Sequence, residues 1–78
     1  MSYASRYLRL MDPFMEGIDV TNVQERLSEL GYYQGPINGI YDRETIDAVR
    51  DFQLEFGLVA DGVVGPQTWN AIGLSPES

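Results

Sequence analysis

The sequence predicts an all-α chain: a compact three-helix bundle with an extended N-terminal arm, built from a repeated unit of glycine turn plus helix. Three observations predict it. Apolar residues recur at helical spacing in two stretches, each closed by a glycine. The octapeptide NGIYDRET (Asn38 to Thr45) returns 23 residues later as DGVVGPQT (Asp61 to Thr68), and the likeness continues from TIDAV into TWNAI. Phe52-Gln53 is echoed upstream by Val23-Gln24, and each pair leads to a glycine, Gly57 or Gly31. Three related helical units joined by glycine turns are the simplest organisation.

Residues 1–16 form the arm. In MSYASRYLRLMDP the apolar residues Tyr7, Leu8, Leu10 and Met11 lack clean helical spacing, and Pro13 and Gly17 separate the segment from the first helix. Packing of Leu8 or Leu10 against the helices would tie this end down. The first helix is expected from Val20 to Leu30, with Asp19 as its N-cap, Val20, Val23, Leu27 and Leu30 as its inward stripe, and Gly31 as its stop. Thr21, Glu25, Ser28 and Glu29 form its wet face, and Gln24 lies at the border of the stripe.

The loop YYQGPINGIY (Tyr32 to Tyr41) holds three tyrosines in ten residues, dense in aromatic groups for a connection facing water. Asn38-Gly39 marks a sharp reversal. Asp42 then caps a second helix that begins near Arg43. At 100° per residue, Thr45, Ala48, Val49, Phe52 and Phe56 gather on one side of it, opposite Arg43, Asp47, Arg50 and Asp51, with Leu54 on the outer face. Gly57 ends it. The third helix is short: it starts after Gly65 with Pro66 at its first position, turns Trp69 and Ile72 inward and closes at Gly73. Residues 17–74 thus form the domain, and the polar tail 75–78 reads as the start of a linker, as in a module cut from a longer protein.

Composition excludes several function classes. At 78 residues, with 44% apolar and 22% charged, the chain is one small soluble module. It contains no cysteine and no histidine, which removes disulfides, thiolate chemistry and the usual zinc ligands. A formal charge of −7 and the absence of any lysine argue against nucleic acid and against an anionic membrane. The acidity serves solubility, or a weak preference for cationic or neutral polymers. Asp42, Glu44 and Asp47 do not make a calcium loop, because they lie in a helical pattern without the central glycine. No nucleophile elbow or catalytic histidine is present, so the chain reads as a binding module and not as an enzyme, with no cofactor implied.

The stretch GIDVTNVQERLSELGYYQGPINGIYDRETIDAVRDFQLEFGLVADGVVGPQTWNAIG, Gly17 to Gly73, resembles the small three-helix peptidoglycan-binding domain that accompanies bacterial cell-wall hydrolases. The segments DV–Q–L–LGY, AV–FQ–GL and DG–VG–TW carry the resemblance by their order and spacing. It implies a non-catalytic module that holds a linked amidase, muramidase, transglycosylase or peptidase on the wall, outside the cell, with any export signal beyond this chain. The family often has Phe-Gly or Tyr-Gly after the first glycine turn, whereas here Tyr41 is followed by Asp42. Peptidoglycan offers sugar faces, N-acetyl groups and amides, so rings and polar side chains near the first turn are the expected contacts: Tyr33, Asn38, Tyr41, Asp42 and Gln53. Each also has a structural alternative. The tyrosines can be core rings, the amides of Gln24 and Gln53 can hold loop backbone, Asn38 and Asp61 can serve turn chemistry, and Trp69 can be core. A monomer is expected. A different class of function is a protein-interaction or intramolecular regulatory domain that orients a catalytic partner without touching glycan.

Overall fold

The computed structural model describes residues 6–74 and forms α1 (Ile18–Glu29), α2 (Arg43–Glu55) and α3 (Pro66–Ile72). Among the described residues the extended segments pair only as two isolated antiparallel bridges, Leu8 with Val64 and Glu16 with Ile40. The architecture is therefore the expected all-α bundle. The expected linker at 75–78 and the first five residues of the arm lie outside the described residues.

α2 and α3 start where local signals place them. Asp42 adopts an extended conformation and accepts from Thr45 N at 3.1 Å, which satisfies one of the unpaired amides of the first turn. Pro66 opens α3 after Gly65. α1 corrects the sequence reading: it begins at Ile18, two residues early, and its N-cap is Gly17 without a side-chain cap. Asp19 does not cap the helix because its carboxylate is taken. Arg6 Nε donates to Asp19 Oδ2 at 2.6 Å and Val20 N donates to Oδ1 at 2.9 Å, inside the first helical turn where negative charge is favoured.

All three helices end alike. The amide that follows each helix-ending glycine bonds back five residues: Tyr32 N to Leu27 O, Leu58 N to Gln53 O and Leu74 N to Trp69 O, at 2.8, 2.8 and 3.0 Å. The intervening Gly31, Gly57 and Gly73 are left-handed. This closure folds Tyr32, Leu58 and Leu74 back onto the core.

Leu8, Val20, Val23, Leu27, Val49, Phe52, Trp69 and Ile72 are buried, so the arm and all three helices share one core. Leu8 fulfils the anchoring expected of the arm, while Leu10 stays 48% exposed. Trp69 Nε1 donates to Arg6 O at 3.0 Å, a second tie between arm and α3. Two expected core positions are corrected. Leu30 and Phe56 are 40% and 51% exposed, because both are cap residues beyond the last helical turn and no longer follow the helix azimuth. Phe56 instead stacks on the edge of the core against Phe52, with ring centroids 4.4 Å apart. Ile46 and Gln53 fill the α2 face in its place.

Candidate functional site

The two matched turns are held by two glutamines in the same way. Gln24 is fully buried; its Oε1 accepts from Gly39 N at 2.8 Å, and its Nε2 donates toward Ile40 O, Thr45 Oγ1 and Asn38 Oδ1 at 3.0, 3.0 and 3.2 Å. Gln53 repeats these four contacts: Oε1 accepts from Gly62 N at 3.0 Å, and Nε2 lies 3.0, 3.1 and 3.2 Å from Val63 O, Thr68 Oγ1 and Asp61 Oδ1. Asn38 and Asp61 each also accept from the amide two residues on. Each side-chain amide thus closes its turn by satisfying a buried backbone N–H and a carbonyl together. The turns need glycine at the second position. Gly39 and Gly62 have φ of 75° and 73°, and a Cβ would lie 2.8 Å from Thr21 Oγ1 at one and from Ile46 Cγ2 at the other.

The five residues expected to contact a ligand divide into two groups. Tyr33 and Tyr41 are 2% and 0% exposed, so neither presents a ring face to solvent. The structure places both rings inside, as in the structural alternative for them: the phenols turn inward because their hydroxyls find backbone acceptors, Pro36 O at 2.7 Å for Tyr33 and Gly62 O at 2.6 Å for Tyr41. The Tyr41 bond joins the first turn to the second. Burial raises the pKa of both phenols, most strongly at Tyr41, where the charge of Asp61 adds to it. Gln53 is also buried, as the structural alternative for it holds. Asn38 is exposed and Asp42 half-buried, and both keep part of their side chains at the surface while holding the turn.

A groove of about 220 Å³ opens beside the second turn, not the first. Gln53 and Thr68 form its floor, Leu58, Val59 and Pro66 its apolar walls, and Tyr7, Asp61 and Gln67 its rim. Sequence reasoning placed the candidate site at the tyrosine-rich first turn and did not single out the groove residues Leu58, Val59, Pro66 and Thr68. The signal that could have found them was the repeat itself: DGVVGPQT copies the first turn without its tyrosine and without its capping aspartate. A second, broader depression lies under the arm, lined by Leu10, Met11, Asp12, Pro13, Phe14 and Arg43. Among the described residues no three acidic, cysteine or histidine side chains are placed to hold a metal ion. No described helix is long and apolar enough to cross a membrane.

Comparison with known proteins agrees with this fold. A family model described as "Putative peptidoglycan binding domain" matches residues 16–72. The spore cortex-lytic enzyme of Bacillus subtilis (strain 168) is 51% identical over 53 residues, which cover 67% of this chain and 17% of that protein. The solved SleB N-terminal domain superposes with a TM-score of 0.82 at 31% identity, covering 91% of this chain and 93% of that one. The Burkholderia AP3 phage endolysin superposes at 0.78 with 41% identity, over 87% of this chain and 25% of that one. The chain spans only 14% to 20% of the length of the curated relatives it matches. With a family model over most of its length and close relatives among cell-wall amidases and cortex-lytic enzymes, the chain belongs to the peptidoglycan-binding domain family.

Proposed function

We propose that this chain is a non-catalytic wall anchor that binds peptidoglycan and holds a linked hydrolase at its polymeric substrate. The observation that carries the proposal is the open groove beside the second turn, set on a floor that the Gln53 network holds fixed. A fixed, shallow groove with apolar walls and a neutral polar floor suits a neutral polymer bearing amides and sugar faces. Gln53 remains in the proposed site as its floor. Asn38 and Asp42 are proposed as polar contacts of the first turn, and Tyr33 and Tyr41 as positioning residues that act from inside. Affinity from such a surface is modest. Its effect comes from tethering, which raises the concentration of the linked enzyme at the wall without tight binding. The module is proposed to work as a monomer, and its place outside the cell, at the wall or spore cortex, is supported by the names of its relatives.

The test is co-sedimentation of the folded chain with purified, protein-free peptidoglycan, beside a heat-unfolded control. Pelleting of the folded sample alone is the expected result. Retention in the supernatant across wall chemotypes would sink the anchor and favour a regulatory domain that contacts its catalytic partner instead.

A further inference from the structure

Where the two glutamine-held turns differ, the difference defines what the second one lacks. In the first turn the chain covers its own network. Thr45 Oγ1 donates to Asp42 Oδ1 at 2.9 Å, and the Tyr33 hydroxyl sits 3.4 Å from Gln24 Nε2. In the second turn Gly65 stands in the place of Asp42. Thr68 is 4% exposed, lines the groove and accepts from Gln53 Nε2 at 3.1 Å, yet its hydroxyl has no acceptor of its own among the described residues. A buried donor without a partner favours any group that brings an acceptor. At the rim, Asp61 Oδ1 is occupied by Val63 N at 2.9 Å and Gln53 Nε2 at 3.2 Å, while Oδ2 takes part in neither bond. Thr68 Oγ1 and Asp61 Oδ1 both lie within 3.2 Å of one nitrogen of Gln53, so a donor and an acceptor border the same small space.

We propose that this groove is a subsite for a secondary amide, the N-acyl group. Its carbonyl oxygen accepts from Thr68 Oγ1, its N–H donates to Asp61 Oδ2, and its acyl carbon lies against Leu58, Val59 and Pro66. A carboxylate ligand would meet the Asp61 charge in a chain of net charge −7, so the neutral amide is preferred to an anion. The inference rests on the wall-binding reading only for the source of the amide, which peptidoglycan carries both in its N-acetylated sugars and in its stem peptides.

The test is an NMR titration of the whole chain, followed through backbone amides, with N-acetylglucosamine, with glucosamine, and with an N-acetylated alanine amide. At least one acylated probe should shift Val59, Gly65 and Thr68, and glucosamine should not; the acylated probe that does so identifies the source. No shift at these residues with either acylated probe, or an equal shift with glucosamine, overturns the subsite. Two variants borrow the residues that stand at the matching positions of the first turn. Gly65→Asp places a carboxylate within reach of the Thr68 hydroxyl; its Cβ comes 3.0 Å from the half-exposed Tyr7 ring, which can swing outward. Asp61→Asn keeps the turn, as Asn38 does, and replaces the rim acceptor by a donor. Each should weaken the acylated probe roughly tenfold, the loss expected from one removed hydrogen bond to a buried or charged partner. Unchanged binding in both refutes the proposal, and Asp61→Asn decides alone should Gly65→Asp fail to fold. Sacculus binding by the parent without any probe binding sinks the subsite and leaves the wall anchor. Probe binding without sacculus binding does the reverse.

Discussion

Replacing Gln24 by leucine isolates the energetic role of the turn networks. Leucine matches the volume but removes an acceptor and a donor at a fully buried position. Of the groups released, Ile40 O keeps the Asp42 amide at 2.9 Å, Thr45 Oγ1 keeps Asp42 and Asn38 keeps Ile40 N. Gly39 N–H, buried and bonded to Gln24 Oε1 at 2.8 Å, is left with nothing. That orphan costs about 1–3 kcal/mol, and the weakened remaining bonds add on the order of 1 kcal/mol, for a total of roughly 3 kcal/mol. A domain of this size has roughly 4–12 kcal/mol in all, so the melting temperature should fall by roughly 12–24 °C. Gln24→Glu refines the test. The carboxylate still accepts from Gly39 N but turns an oxygen toward Ile40 O and Asn38 Oδ1, which raises its folded-state pKa above the ordinary value near ~4.3. The folded state then holds a proton that the unfolded state has lost, so the penalty of this variant grows as pH rises and shrinks toward pH ~4. Thermal melts from about pH 4 to 8, each referenced to the parent at the same pH, read both effects. A drop below about 4 °C for Gln24→Leu, or a pH-independent penalty for Gln24→Glu, would refute the orphaned-amide account.

Two further outcomes concern the arm. Burial alone would raise the Asp19 carboxyl, but the Arg6 hydrogen bonds and charge and the Val20 amide outweigh it and hold its pKa below the ordinary value of 3.8. Its stabilising effect is therefore complete above pH ~4 and is lost as pH falls through the depressed value; Asp19→Asn should cost roughly 1 kcal/mol in urea unfolding at pH 7, and the gap to the parent should narrow progressively as pH is lowered below the ordinary carboxylate value of 3.8. Leu8→Ala empties a fully buried position that bridges to Val64, with an expected loss of about 2–5 kcal/mol. Deprotection of the Leu8 and Val64 amides in hydrogen exchange should accompany it, and an unchanged exchange rate there would mean that the arm is not anchored by this contact.

The parts of the fold that were legible in the sequence are those decided within one or two turns of chain. Asp42, Pro66 and the glycines after each helix act on their own neighbours, so α2, α3 and the helix ends follow from local chemistry. The start of α1 does not, because Asp19 is claimed by Arg6, 13 residues earlier, and an N-cap signal is void once its carboxylate is engaged elsewhere. The tyrosines fail in the same way. Tyr41 looks accessible in a glycine-rich loop, yet its hydroxyl reaches Gly62 O, 21 residues on. The roles of Gln24 and Gln53 were legible as one of two alternatives, since a polar amide beside an apolar stripe must find backbone partners. The groove was not, because Tyr7, Leu58 and Thr68 meet only once the arm, the end of α2 and the start of α3 are assembled.

On the proposed reading, stability and binding occupy different copies of one repeated design. A chain this small buries a limited apolar core, so a misplaced turn is expensive and the buried amides serve to fix the backbone. The first turn is completed from within: Asp42 accepts from both the amide and the hydroxyl of Thr45, and Tyr33 covers Gln24. The second keeps the same glutamine, glycine and threonine but omits both closing groups, leaving the Thr68 hydroxyl unanswered beside open space. That omission costs stability locally, and the duplicated first turn shows that an aspartate at the Gly65 position could remove the cost. A substitution there that raises the melting temperature while lowering wall binding would separate the two roles, because a purely structural turn would gain stability with no change in what the chain holds.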